Sequence, residues 1–158
     1  MKVIFLDFDG VLTTSKNYGV LDPEKMDLLW KLVINTGANI VISSSWRALD
    51  VPSTIYNLTL GKDYTNTPLK WLSKVVGVTP RPNEEEFLLY DEWSREGEIK
   101  KYLECHPEIE NFIILDDMED EFENPSMIGR LVKTDITSGL TENHVRVAIK
   151  LLNKDEDK

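Results

Sequence analysis

Two aspartates that follow an apolar run near the start of the chain are the residues best suited to chemistry. Residues 3–6 are apolar, and Asp7, Asp9 and Gly10 come directly after them. A short apolar run is typical of a buried parallel strand, and ligands gather beyond the carboxyl ends of such strands. Residues two apart in an extended chain project to the same side, so both carboxylates could bind one metal ion. Gly10 would let the backbone turn closely past whatever group is bound there.

Further segments supply the other groups that phosphoryl transfer requires. They follow apolar runs or open a helical pattern, and they contribute hydroxyls, cations and acids: Ser44, Ser45, Arg47, Arg95, Lys100, Asp116, Asp117 and Asp120. A nucleophilic acid, a hydroxyl, a cation and a second acid pair together suit phosphoryl transfer. An isolated pair of aspartates would more often be a turn cap or solvated charge, but these additional segments favour a catalytic site.

These segments resemble the four motifs of the haloacid dehalogenase-like (HAD) phosphohydrolase superfamily, in that family's order. The matches are residues 7–11 for DxDx(T/V), Ser44 for the second-motif hydroxyl, Arg95 or Lys100 for the third-motif cation, and Asp116, Asp117 and Asp120 for the fourth-motif acids. Because three serines are consecutive, the register of the second motif stays open by one residue. The resemblance runs from Val3 to about Leu152. The strings SSSWR, ILDD and LVKTDITSGLT are more narrowly similar to small HAD domains associated with RNA-repair proteins.

The resemblance implies a magnesium-dependent phosphomonoester hydrolase that acts through an aspartyl-phosphate. Asp7 would attack phosphorus, and Asp9 would protonate the leaving alcohol and then deprotonate the hydrolytic water. Magnesium takes oxygen ligands, and those implied here are Asp7, Asp9 through its backbone carbonyl, Asp116 and Asp117. Without a cation, clustered carboxylates raise one another's pKa values.

The same resemblance implies a set of phosphate contacts. Ser44 or Ser45 would donate a hydrogen bond to a phosphoryl oxygen, and Arg95 or Lys100 would neutralise the charge that builds there. Gly10 would allow the close approach of the phosphate to the backbone.

Other residues near the motifs have two interpretations each. Asp117 and Asp120 would also suit an outer position, orienting metal-bound water or the cation, although Asp120 could be solvated charge in an acidic stretch. Arg47 could be a second phosphate contact or a surface ion-pair partner. Trp46 and Trp93 lie beside the motifs and could contact a substrate, but packing is the favoured role for both.

Alternating strand and helix patterns must position these groups, and they predict a doubly wound, Rossmann-like α/β fold with a parallel sheet and helices on both faces. The predicted strands are 3–6, 39–43, 112–115 and 131–134. The predicted helices are 23–36, capped by Asp22 and ended by Gly37, then 68–76, 96–104 and one starting at Thr141. Residues 13–20 predict a short flap over the site, and 78–86 predict a loop.

The 158-residue length suits one HAD-like domain over 1–154 with a frayed acidic tail over 155–158. The intervals between motifs leave no room for a full cap domain. An uncapped site would leave a bulky phosphorylated molecule free access.

Composition restricts location and partners. The single cysteine, Cys105, and the lack of a signal-like or membrane-spanning segment predict a cytoplasmic protein without a membrane partner. A net charge of −10 argues against broad nucleic-acid binding, but it is compatible with local contacts to a nucleic-acid end, such as one with a 3′-phosphate. A small-molecule nucleotidase and a non-catalytic binding or regulatory module are the alternatives, because fold alone does not establish activity.

Overall fold

A five-stranded, fully parallel β-sheet is the centre of the fold in the computed structural model, which describes residues 1–17, 19–59, 69–81 and 94–154. The strands are β1 (Lys2–Leu6), β2 (Asn39–Ile42), β3 (Val75–Val78), β4 (Asn111–Asp116) and β5 (Leu131–Lys133). Their order in the sheet is β3-β2-β1-β4-β5. The predicted α/β class with a doubly wound parallel sheet is confirmed.

Five α-helices and two short 3-10 helices accompany the sheet in the described residues. The α-helices are α1 (Pro23–Thr36), α2 (Val51–Thr59), α3 (Arg95–Cys105), α4 (Pro125–Ile128) and α5 (Glu142–Asn153). The 3-10 helices are Lys70–Lys74 and Glu119–Glu121. None of the described helices combines the length and the apolar character that crossing a bilayer would need.

Both faces of the sheet are buried, which explains why β1 is apolar at successive positions. Ile4 and Leu6 belong to the core cluster that includes residues of α1 and α5. Val3 and Phe5 belong to the opposite cluster, which includes Ile99 of α3. Alternation along the strand sends neighbouring side chains to opposite faces, so each face needs its own apolar residues.

The helix ends that the sequence predicts for α1 are confirmed. The Asp22 side chain accepts a hydrogen bond from the Glu24 backbone N–H at 2.9 Å, and Pro23 occupies the first turn. Gly37 ends the helix with a φ of 66°, a left-handed conformation that glycine adopts readily. Helix α5 begins after Thr141, as predicted.

The helix predicted over 68–76 is wrong for the residues that the structure describes. Lys70–Lys74 forms only a 3-10 helix, and Val75–Val78 is β3, an edge strand that the sequence analysis did not predict. The apolar residues before β3 have a spacing that imitates a helix, and β3 itself is short. Gly77 allows the strand to lie against α3, because a Cβ there would overlap the Tyr102 hydroxyl.

Sheet register brings the strand ends of the candidate motifs together. Leu6 pairs with Leu115, and the backbone N–H of Asp7 continues the ladder by donating to the Leu115 carbonyl at 3.0 Å. On the other side of β1, the Ser43 N–H donates to the Leu6 carbonyl at 2.9 Å. The order of strands reverses around β1, which is where open α/β sheets bind their ligands.

Candidate active site

Three carboxylates meet at the carboxyl ends of β1 and β4. Asp7 follows β1, Asp116 ends β4 and Asp117 comes next, and each offers an oxygen within 4.8 Å of the other two. Asp116 is fully buried, Asp7 is nearly so, and Asp117 is half-buried. Because β1 and β4 are neighbouring parallel strands with Leu6 opposite Leu115, their register brings Asp7 and Asp116 side by side.

Ionisation of the buried carboxyl groups is unfavourable without additional positive charge nearby. Burial raises the pKa of Asp116 to about 7, and the negative charge of Asp7 adds to the shift. Burial likewise raises the pKa of Asp7 and of Asp117, while Arg95 opposes the shift at all three carboxyls. One buried oxygen, Asp116 Oδ2, accepts no hydrogen bond from the described residues, although the Arg95 guanidinium forms an ion pair with it. An oxygen donor set with an unsatisfied buried atom fits a divalent cation such as magnesium.

Arg95 is the cation that reaches these acids. Its Nη2 lies 3.7 Å from Asp7 Oδ1, and its Nε lies 3.3 Å from Asp116 Oδ2. Arg95 is the first residue of α3, where the Ser94 side chain accepts a hydrogen bond from the Gly97 N–H at 3.2 Å. The helix N-terminus therefore delivers the guanidinium between the ends of β1 and β4.

Lys100, the other candidate cation, makes a different contact. It forms an ion pair with Glu96, one turn earlier on α3. The second carboxylate oxygen of Glu96 accepts hydrogen bonds from the backbone N–H groups of Glu123 and Asn124 at 2.7 and 2.9 Å. Lys100 thus belongs to a contact between α3 and the segment that precedes α4.

Of the three consecutive serines, Ser44 contacts Asp7. It is fully buried, and its hydrogen bond to the carboxylate lowers the pKa of Asp7, against the larger effect of burial. Ser43 is also buried, but its hydroxyl has no hydrogen-bond partner among the described residues, and Ser45 is exposed. The arrangement places the Ser44 hydroxyl beside the Asp7 carboxylate.

Asp9 is held at both carboxylate oxygens. The Thr13 hydroxyl lies 3.2 Å from Oδ1, and the indole N–H of Trp46 donates to Oδ2 at 3.0 Å. The contact from Trp46 spans 37 positions of the chain. Sequence reasoning favoured packing for Trp46 and missed this hydrogen bond, which no local pattern predicts. Packing is present too, since the Trp46 ring meets Phe8 edge to face at 5.5 Å.

Gly10 leaves the space that the Asp117 side chain occupies. Its φ is 72°, and a Cβ at this position would overlap the Asp117 carboxyl group. A larger residue would therefore be strained in its backbone and would also displace one of the three clustered acids.

Arg47 is buried and holds the loop after β2. Its guanidinium donates to the backbone carbonyls of Ser44 and Thr79, each at 2.8 Å, and to that of Pro80 at 3.1 Å. It also pairs with Glu98 of α3 at 2.7 Å. Sequence reasoning missed Glu98, whose carboxylate lies between Arg47 and Arg95, the latter at 4.0 Å.

The comparison with known protein families agrees with this geometry. The sequence model of the HAD domain in Swiss Army Knife RNA repair proteins matches residues 3–145. The chain belongs to this family. No curated protein and no solved structure matches the chain. The resemblance inferred from the motifs is confirmed, and the chain is a HAD-like domain.

Asp120, a further residue named from the sequence, lies outside the acid cluster of this HAD domain. Asp120 is exposed in the 3-10 helix Glu119–Glu121, where its charge acts on Lys133. Trp93 lies outside the described residues.

Proposed function

We propose that this HAD domain is a magnesium-dependent phosphomonoester hydrolase that acts through an aspartyl-phosphate. The observation that supports it best is the convergence of Asp7, Asp116 and Asp117 with Arg95 at one end of the sheet. The Ser44 side chain forms a hydrogen bond with the Asp7 carboxylate. This set suits the positioning and charge neutralisation on which phosphoryl transfer depends.

The proposed reaction has two displacements at phosphorus. In the first, a carboxylate oxygen of Asp7 attacks phosphorus, the bond to the substrate oxygen breaks, and Asp9 gives its proton to that oxygen. In the second, a water oxygen attacks phosphorus while Asp9 takes a proton from the water. The bond to Asp7 then breaks, so inorganic phosphate leaves and both aspartates return to their starting states.

The charged groups around Asp7 have separate roles in this scheme. Arg95 and Ser44 would contact the phosphoryl oxygens, where negative charge increases during transfer. Asp7, Asp116, Asp117 and the Asp9 backbone carbonyl would hold magnesium. When bound, magnesium would neutralise the carboxylates and the phosphoryl oxygens, so that Asp7 stays ionised at neutral pH.

The substrate class we propose is a phosphorylated nucleic-acid end, such as a 3′-phosphate, or a nucleotide. Membership of a family of HAD domains in RNA repair proteins supports this choice. Between β2 and α3 the described residues form α2, one 3-10 helix and β3, so they contribute to the core sheet and its surroundings. A cytoplasmic location, where such substrates occur, agrees with the single cysteine of the sequence.

Phosphate release from a panel of substrates tests the proposal. The panel holds an aryl phosphate, mononucleotides and oligonucleotides with a 3′- or 5′-phosphate, each with and without magnesium. Asp7→Asn is the matched control, because it keeps the shape of the nucleophile and removes its charge. Magnesium-dependent release that this variant loses supports the hydrolase, and the preferred substrate separates end repair from a nucleotidase. Failure of every substrate in a protein that still binds magnesium would point to the binding or regulatory module.

A further inference from the structure

We propose that Trp46 is a positioning residue for Asp9, and that its indole N–H fixes the carboxyl group in the orientation that proton transfer requires. The inference rests on the proposed function, because it gives a role to a contact of the acid–base residue. It adds a residue that belongs to neither the acid cluster nor the phosphate contacts.

The geometry leaves the Asp9 carboxyl group little rotational freedom. Trp46 Nε1 donates to Oδ2 at 3.0 Å, and Thr13 Oγ1 lies 3.2 Å from Oδ1. With one contact on each oxygen, rotation of the carboxyl plane would break at least one of them. Asp9 itself is only half-buried, so water would otherwise compete for both oxygens.

The donor properties of the two partners distinguish the oxygens. An indole N–H can only donate, so Oδ2 must accept in every state in which this bond exists. The proton that Asp9 transfers is then carried by Oδ1. The Thr13 hydroxyl can donate to an ionised Oδ1, and when Oδ1 is protonated the Thr13 hydrogen can turn instead toward the Phe8 carbonyl, 3.4 Å away. The Oδ1 hydrogen is then free to point at the leaving oxygen. Trp46 therefore keeps the same bond in both half-reactions, while Thr13 changes its acceptor.

Trp46 is itself held from two sides. Its ring meets Phe8 edge to face at 5.5 Å and packs against the main core cluster. Its backbone N–H donates to the Ser44 hydroxyl at 3.3 Å. Trp46 thus forms hydrogen bonds both to Ser44, whose hydroxyl lies beside Asp7, and to Asp9. The same residue therefore positions a neighbour of the nucleophile and the acid.

The positioning role of Trp46 is tested by how kcat/KM of Trp46→Phe depends on the leaving group of the substrate. The value of kcat/KM reports the steps up to departure of the alcohol, so it is independent of the later attack by water. An alkyl phosphate needs a proton on its leaving oxygen, whereas p-nitrophenyl phosphate releases a stable anion without one. We expect kcat/KM for the alkyl phosphate to fall by roughly tenfold to a hundredfold, as for a misplaced catalytic group. For the nitrophenyl ester we expect a change within about twofold.

Trp71→Phe is the matched control. Trp71 also meets Phe8 edge to face, at 5.9 Å, but its indole N–H has no hydrogen-bond partner among the described residues. The control therefore disturbs the packing of Phe8 without removing a contact of Asp9. It should affect the two substrates equally. If Trp46→Phe also lowers both values by the same factor, its role is structural and the inference is overturned.

A spectroscopic readout separates this inference from the proposed function. In the ¹⁵N-labelled protein, Asp9→Ala should shift the Trp46 indole N–H resonance and speed its exchange with solvent, with the Trp71 resonance as internal reference. An unchanged Trp46 resonance overturns the inference while leaving the hydrolase intact. If the Trp46 resonance shifts in Asp9→Ala but the wild-type protein releases no phosphate from any substrate of the panel, the proposed function is overturned, and the proton-transfer role with it. If Trp46→Phe does not fold, 3-benzothienylalanine at position 46 removes only the N–H and permits the same comparison.

Discussion

The guanidinium of Arg95 lies 3.3 Å from the carboxylate of Asp116, measured from Nε to Oδ2, although the two residues belong to different elements. Asp116 ends the buried strand β4, and Arg95 opens helix α3. The contact places a permanent positive charge where burial would otherwise favour the neutral acid.

Arg95→Ala should therefore lower kcat/KM strongly, by about 10²- to 10³-fold, as expected for loss of a group that stabilises developing charge. Lys100→Ala is the matched control, because it removes a cation from the same helix that pairs with Glu96 instead. Its activity should stay within about threefold of wild type. Steady-state kinetics with the preferred substrate measures both, and equal, mild effects would contradict the role of Arg95.

Replacing Asp116 should change how stability depends on pH. Its pKa is raised from 3.8 to about 7 in the folded protein, so the metal-free folded state binds a proton that the unfolded chain has released. Stability from this group is present below about pH 4 and is lost as the pH rises to about 7. Asp116→Asn should remove this part of the pH dependence and also the magnesium-induced rise in Tm. Melting curves from pH 4 to 8, with and without magnesium, measure both effects, and parallel curves for the two proteins would refute the assignment.

Gly10→Ala should weaken magnesium binding and turnover. The added Cβ overlaps the Asp117 carboxyl group, and displacement of a residue at a metal site costs on the order of tenfold or more in affinity or activity. Gly37→Ala is the control, since its φ of 66° imposes a comparable backbone strain while nothing lies within 4 Å of the new Cβ. Both variants should lose Tm, but only Gly10→Ala should lose activity. Titration calorimetry with magnesium and the phosphate assay distinguish them.

Arg47→Met should act mainly on stability. It removes the guanidinium that donates to four backbone carbonyls, and it removes the cationic partner of the half-buried Glu98. Breaking such a buried pair costs roughly 3–5 kcal/mol of unfolding free energy. The exposed Arg146 provides the comparison, because Arg146→Met should change stability by no more than about 0.5 kcal/mol. Urea unfolding measures the difference, and similar values for the two variants would show that the buried contacts contribute little.

The fold was largely predictable because its strongest sequence patterns are local. Continuous apolar runs predicted β1, β2, β4 and β5, and capping residues predicted the ends of α1. Strand β3 was missed because the apolar spacing before it imitates a helix, and the predicted helix ran on into Val75 and Val76, its first two residues. Only pairing with β2 establishes it as a strand.

The site was predictable in residue types but not in contacts. The acids could be named because each follows a strand, and strand order then determines which of them meet. Choosing Arg95 over Lys100 depends on how α3 is oriented and on the neighbour Glu96, which the motif spacing does not specify. The bond from Trp46 to Asp9 and the pairing of Arg47 with Glu98 join distant segments, so they follow from tertiary packing alone.

The backbone of the first motif is joined to the segment that follows β5. The Thr134 hydroxyl donates to the Gly10 carbonyl at 2.6 Å, and the Leu140 N–H donates to the Val11 carbonyl at 2.8 Å. In the segment predicted as a flap, the Ser15 N–H donates to the Ile136 carbonyl at 2.8 Å. Opening that segment would break the Ser15 bond while Gly10 and Val11 keep theirs, so the turn after β1 has its shape before a substrate arrives. Turnover should then show little dependence on solvent viscosity, since no large motion of this turn precedes product release.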